Sequence, residues 1–344
     1  MPITRSVQNP NQVTEWTEEV NLIPNTAGFI RGLGLFNVRG TKSTSITFDV
    51  NKNTYTLLPS SSRGSKKATH GKDRNVITKA FALAFFKHED LITPEDILDQ
   101  RKPGTADMEE TLANVRVAKM TDMRNVADFT DEYLRLTAMT GKMVTPDGVE
   151  YANMFQEFGI SQTVVDFDLG NPLTDIDAKI LAVKNAVTKG LQNGSGATGV
   201  TMIVDEQFFN DLINHPKFRE VWLSYQNAGY QRLRDDLAQY FSFGVVSFVE
   251  HRGVTFIAYN PEFPLPDGTT DKVFGAGEGV AFATGARDLF RGYCGPANKL
   301  TETVGQPVFM FEYTDPRDEY HELELQMAPL YFCTRPASLV KVTV

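Results

Sequence analysis

Five histidines, two cysteines, a few neighbouring carboxylates and a glycine-rich hexapeptide are the groups in this sequence that could do chemistry. Gly194-Ser195-Gly196-Ala197-Thr198-Gly199 has the glycine spacing of a dinucleotide fingerprint. That fingerprint works only after a strand and before a helix, so that the helix N-terminus meets the pyrophosphate. Here the pattern predicts a helix before it and a strand, Val200 to Val204, after it, so the letters mark a connecting loop. Gly275-Ala276-Gly277-Glu278-Gly279 is likewise a loop. There is no phosphate-binding P-loop and no Gly-x-Ser-x-Gly nucleophile elbow. His70, His88, His215, His251 and His321 do not pair at metal-ligand spacing, and no Cys-x-x-Cys occurs. His321 with Glu322 and Glu324 comes nearest to a metal set. Strand alternation points the two glutamates to one face and the histidine to the other, which reads as a solvated strand edge. His251 falls in a predicted turn. Asp166 and Asp168 share a strand face and could act as paired carboxylates, but a polar outer face needs no such role. Cys294 and Cys333 could be nucleophiles only beside a base, and they read as small buried apolar groups. No catalytic, cofactor-binding or metal-binding residue is therefore expected, and no cofactor.

The elements around these groups set a different agenda. Thr93-Pro94-Glu95-Asp96 has a cap, a proline at the first helical position and acids in the first turn. A second start at Thr105 opens the longest helical pattern, with Met108, Leu112, Val115, Ala118, Val126, Phe129, Tyr133 and Leu136 spaced mostly by three and four. Neither Pro nor Gly interrupts Thr105 to Thr140, and Gly141 closes it. At 1.5 Å per residue this is roughly 50 Å of helix, longer than a compact domain requires. Met143-Val144 and Val149 to Tyr151 read as a hairpin around Pro146-Asp147-Gly148. From about Asn171 helices and strands alternate, with one helix marked by Ile176, Ile180, Val183 and Val187 and ended by Gly190. The last block returns to strands: Val308 to Tyr313, Glu322 to Met327, and Leu339 to Val344.

The charge is unevenly placed. From Asn37 to Lys79 there are nine basic residues (Arg39, Lys42, Lys52, Arg63, Lys66, Lys67, Lys72, Arg74, Lys79) against Asp49 and Asp73, a local +7 in a chain of net −9. The stretch is rich in Ser and Thr and poor in large apolar residues. Ser45 to Val50 alternates as a strand would, Thr54 to Leu57 could pair with it, and the run from Val76 to Phe86 reads as a return strand. This predicts an extended two-stranded finger that needs a neighbour to pack on. Its sign suits an acidic surface, which the body of another copy of the chain would supply. Nucleic acid is the other candidate partner, and an α/β enzyme with an unrecognised site is the remaining alternative. The 344 residues suffice for about two compact units or one elaborated one. No stretch is long and apolar enough for a membrane helix, the start lacks a signal-peptide pattern, and two cysteines fit a reducing compartment.

Ala286-Arg287-Asp288-Leu289-Phe290-Arg291-Gly292-Tyr293-Cys294 resembles the Arg-Gly-Leu-Arg-Thr-Tyr-Gly-Cys stretch of the phage lambda major capsid protein E family. Met327-Ala328-Pro329-Leu330, followed by Pro336 and then Ser338 to Val342, resembles that family's Ser-Ala-Pro-Leu ending with its short terminal strand. The order of parts also resembles tailed-phage major capsid proteins of the HK97-type fold. The resemblance implies an α+β fold with an N-terminal arm (1–36), an extended basic E-loop (37–86), a peripheral (P) domain (87–170) with a spine helix at about 105–140, an axial (A) domain (171–297) and return strands of the P domain (298–344). It implies a non-enzymatic head protein that self-assembles into hexamers and pentamers of an icosahedral shell around double-stranded DNA. The shell forms first as a smaller procapsid. Its partners would be other copies, scaffold, portal, a decoration protein and, without sequence specificity, the packaged DNA, with no membrane. Its place would be the virion capsid, after the host cytoplasm during assembly. Arg39, Lys42, Lys52, Arg63, Lys66, Lys67, Lys72 and Arg74 are the expected subunit-interface residues. Lys66 or Lys67 could form an HK97-style covalent cross-link, but lambda-type shells rely on a separate decoration protein instead.

Overall fold

A helix from Leu112 to Met139 is the longest element of the computed structural model, which describes residues 14–22, 28–51, 76–98, 111–191, 196–219, 247–300, 303–317 and 319–344. Its start is set by Thr111, whose side chain accepts from the Asn114 amide, a side-chain cap for an otherwise orphaned donor. Its end is set by Gly141, which sits at φ +83 where a side chain would be strained. The 28 residues give about 42 Å of helix; the run expected from Thr105 begins at Leu112, because Thr111 is extended and caps it, and residues 105–110 lie outside the described residues. The buried face differs from the expected stripe: Val126 is exposed, while Met120, Met123, Ala127, Leu134 and Met139 join Tyr133 and Leu136 inside. Arg124, Asp128, Glu132, Arg135 and Thr137 are buried with them, a result that apolar spacing alone does not predict.

Three larger sheets surround this helix. A four-stranded antiparallel sheet runs in the order Thr14–Glu15, Phe309–Thr314, His321–Met327, Phe86–Ile92. A three-stranded sheet places Phe290–Cys294 between Pro329–Cys333 and the parallel strand Phe36–Gly40. A mixed six-stranded sheet runs Ser247–His251, Val254–Ala258, Gly199–Val204, Glu278–Thr284, Val340–Thr343, Thr163–Asp166. The helix Ile176–Leu191 packs on the last part of this sheet, and Glu206–Asn214 packs on Val254–Ala258. One continuous apolar core joins all of these parts.

Several local readings need revision. Gly190 does not end its helix, which runs on to Leu191. It is a packing site instead, because a Cβ there would lie 2.1 Å from the Ala337 carbonyl oxygen. The terminal strand Val340–Thr343 pairs inside the six-stranded sheet, away from the other return strands, because Val340 and Val342 alternate into its core. Residues Asn37 to Gly40, read with the finger, belong to the three-stranded sheet. The run from Val76 to Phe86 is not one strand: Val76–Ala82 pairs with Ser45–Asn51, and Phe86–Ile92 crosses to His321–Met327. The expected helix start at Thr93 is a short 3-10 turn, Pro94–Asp96, in which Asp96 accepts from the Thr93 amide.

Candidate assembly surface

The finger begins as a seven-residue antiparallel pair in register from Ser45 opposite Ala82 to Asn51 opposite Val76. Its root is fixed on the body by a small apolar cluster in which Phe81 and Leu83 meet Met143, Met154, Leu330 and Phe332. Phe81 stacks on Phe332 with ring centroids 6.4 Å apart. The expected hairpin supplies part of this seat: Lys142–Val144 pairs with Glu150–Asn153, and the Tyr151 hydroxyl donates to the Leu83 carbonyl at 3.1 Å. Lys79 Nζ reaches Glu157 at 2.8 Å, with both side chains partly exposed. An ion pair of that kind is worth at most about 1 kcal/mol, so apolar burial holds the root.

Arg39 and Lys42 are exposed, the first on the outer strand of the three-stranded sheet and the second in the bend leading to the finger. Lys52, Arg63, Lys66, Lys67, Lys72 and Arg74 lie outside the described residues. The structure adds two arginines that charge counting along the chain missed. Some 250 residues downstream, Arg291 lies in the strand that pairs with Phe36–Gly40, and Arg287 lies in the turn just before it. The signal for them was present in the resemblance stretch Ala286 to Cys294, but only strand pairing brings it beside Arg39.

Charge of a different kind lies under the N-terminal segment. Arg124 and Asp128, one helical turn apart and both 2 % exposed in their side chains, pair at 3.1 Å, and Arg31 adds a second contact to Asp128 at 3.0 Å. Glu132 accepts from the Ile30 amide at 2.6 Å, the Arg31 amide at 3.3 Å and the Tyr259 hydroxyl at 2.8 Å. Burial pushes the Glu132 and Asp128 carboxyls above their ordinary range, against the opposing pull of these donors. Arg135 pairs with Asp131 at 2.7 Å, donates to the Tyr331 hydroxyl at 2.9 Å and lies over the Tyr331 and Phe36 rings. Glu312, also buried, accepts from Trp16 Nε1 at 2.8 Å and Arg116 at 2.7 Å, and lies 3.0 Å from His321 Nδ1. These contacts tie the segments at Thr14–Leu22 and Phe29–Gly32 to the long helix, and Tyr259 ties the six-stranded sheet to the same helix.

Among the described residues, several of the groups that could have done chemistry have structural partners. Glu324 is not on a solvated edge, because its strand is central in its sheet. It is buried and takes Lys299 at 2.9 Å. Asp168, at φ +49, accepts from Thr174 and Asn171 and shapes a turn. His251 Nε2 meets Asp177 at 2.8 Å. Burial pushes the Cys294 thiol up to about 11 and the Cys333 thiol to about 12, so neither is a ready thiolate. The described part of the glycine hexapeptide leads from a helix into the strand Gly199–Val204, the reverse of a dinucleotide site. Among the described residues no group of His, Cys, Asp and Glu could hold a metal ion.

The phage major capsid protein E family matches residues 12–344. The chain belongs to this family. The major capsid protein of Salmonella phage Felix O1 is 32% identical, covering 99% of this chain and 98% of the relative. The major capsid protein of Pseudomonas phage KPP10 is also 32% identical, covering 98% of this chain and 97% of the relative. Among solved structures, the putative capsid protein of an E. coli CFT073 prophage shares the fold at TM-score 0.52 and 16% identity, over 79% of this chain and 80% of that one. The cyanophage A-1(L) capsid does so at TM-score 0.52 and 13% identity, over 94% and 97%. The α+β architecture is therefore the HK97-type capsid fold, and the chain is a phage major capsid protein that builds shells from copies of itself. Its place is the virion capsid.

Proposed function

We propose that the chain forms hexamers and pentamers of an icosahedral shell around double-stranded DNA, with the basic finger laid on the acidic surface of a neighbouring copy. The observation that carries this is the finger itself: eight basic residues from Lys42 to Lys79 against Asp49 and Asp73 in a chain of net −9, with its described strands seated on the body at the root. Isolated hairpins are marginal in water, so an extended charged one is best accounted for by a partner. On this reading Arg39, Lys42, Lys52, Arg63, Lys66, Lys67, Lys72 and Arg74 are interface residues. The division into arm, finger, P domain, A domain and return strands follows, with the terminal strand assigned to the A-domain sheet. Assembly takes place in the host cytoplasm with scaffold, portal and decoration proteins as partners, and packaged DNA meets the inner face without sequence specificity. The work of the chain is association, with no catalytic step.

Deleting Asn53 to Lys72 tests this. The expected product is soluble, folded chain that forms no particles in the electron microscope. Shells of normal size from the deletion would refute the finger's role. Early assembly should also weaken with added salt, since exposed charge pairs are screened over about 10 Å at 0.1 M.

A further inference from the structure

Beside the finger root lies an open groove of about 700 Å³ between Leu33–Arg39 and Ala283–Phe290. Its wall carries Asn37, Arg39 and Arg287, with Arg291 on the neighbouring strand. Asn37 stands opposite Arg291, and Arg39 opposite Tyr293, in the parallel pairing. Alternate residues of a strand share a face, so Arg39 and Arg291 share theirs with Tyr293, which stacks on Phe332 at 6.1 Å. Phe332 in turn stacks on Phe81 of the finger. The arginines therefore stand on the face that seats the finger. Arg287 is 94% exposed in its side chain and Arg291 40%. The one carboxylate in the groove, Asp288, lies 3.8 Å from Arg287 and 3.9 Å from Arg291, too far to satisfy either guanidinium. Arg39 makes no ion pair with a described residue.

We infer that this groove is a docking site for a carboxylate-bearing segment of a second copy of the chain, gripped by Arg39, Arg287 and Arg291. This rests on the shell reading above and extends it from the finger to the body. Three guanidinium groups against one carboxylate form a local excess of positive charge, while the chain outside the stretch 37–79 is strongly acidic. Carboxylate is thus the abundant complementary group on every neighbouring copy. The planar fork of arginine binds carboxylate through two parallel hydrogen bonds, and a groove of this volume holds several side chains, more than a single ion needs.

The test uses full-length chain. Arg39→Glu, Arg287→Glu and Arg291→Glu are combined, and particle yield is read by sedimentation and microscopy beside wild type. The expected result is native circular dichroism with particle yield down at least tenfold. Wild-type yield from this variant overturns the groove, while failure of wild type itself to form particles overturns the shell reading. Particles formed at normal yield but depleted of nucleic acid also overturn it, because the groove then serves phosphate. Should the triple variant not fold, a second arm decides. Arg39→Lys with Arg287→Lys is assembled from mixed light and 15N-labelled chain and treated with a carbodiimide. Amide cross-links from position 39 or 287 to Asp or Glu of the other isotope support the site. Cross-links within one chain only, or none, overturn it.

Discussion

The long helix and the finger both carry dense charge, and they use it in opposite ways. On the helix Leu112–Met139, Arg124, Asp128, Glu132 and Arg135 are buried, and each has partners elsewhere in the same chain. On the finger side, Arg39, Lys42, Arg287 and Arg291 are exposed or partly exposed, and at the finger root the Lys79–Glu157 ion pair is partly exposed on both sides. The buried set is costly to desolvate and cannot be left half-made, so it fixes how the N-terminal segment, the helix and the six-stranded sheet sit together. Exposed charge costs little to leave solvated, and an exposed pair adds little to the stability of a single chain. On the proposed reading, the first set holds the subunit together and the second meets other copies.

That division predicts a graded series of effects on the unassembled chain. The largest belongs to Arg124→Ala. It leaves Asp128 buried with only Arg31 beside it, and denaturant unfolding should show a loss of about 3–5 kcal/mol. A loss under about 1 kcal/mol would mean that the helix does not depend on its buried charge. Tyr259→Phe removes one of three donors to Glu132, and the same measurement should read a loss of about 1–3 kcal/mol.

Acid should expose a further part of the internal lock. Asp205 is pushed up by burial. Hydrogen bonds from the Asn260 side chain and the Gly277 and Gln207 amides more than offset this and hold its carboxyl below the usual 3.8. A depressed acid contributes stability above its unfolded value that is lost as pH falls through the folded one. Stability should therefore drop below about pH 4, and Asp205→Asn should drop less over that range. Equal acid sensitivity in both proteins would count against the assignment.

The smallest effect belongs to Lys79→Ala, at most about 1 kcal/mol for an ion pair with both partners partly exposed. Deletion of Asn53 to Lys72 should likewise leave the unfolding midpoint of the body close to wild type. Assembly should respond in the reverse order, with the finger deletion abolishing particles and Tyr259→Phe leaving them intact wherever the chain remains folded. If both readouts followed the same order, the contrast between lock and contact surface would fail.

Much of the scaffold is legible along the chain because local rules govern it. The 28-residue helix follows from a long run without Gly or Pro and a glycine stop, although its cap is Thr111 and not the expected Thr105. The hairpin Lys142–Val144 with Glu150–Asn153 follows from its Pro-Asp-Gly turn. The strand Glu322 to Met327 is recognised by alternation, yet its burial is misread. Alternation assigns one solvated face, but Lys299 and the Asn298 amide lie on it, and Glu324 and Gln326 become internal. Sequence periodicity reports which residues share a face; it carries no information on what later packs against that face. Val126 fails for the same reason, being correctly spaced and yet exposed.

By itself, the sequence determined the long helix, the basic finger and the want of any catalytic constellation, because spacing, caps and charge runs act over a few residues. Only the tertiary structure decided which charges are internal and which face outward. Arg39 stands opposite Tyr293, and Asn37 opposite Arg291, because two strands some 250 residues apart in the chain lie side by side. Glu132 meets Ile30 and Tyr259 because three separate segments converge on one helix turn. Such meetings depend on how whole elements pack, and burial then sets the cost of every unpaired charge.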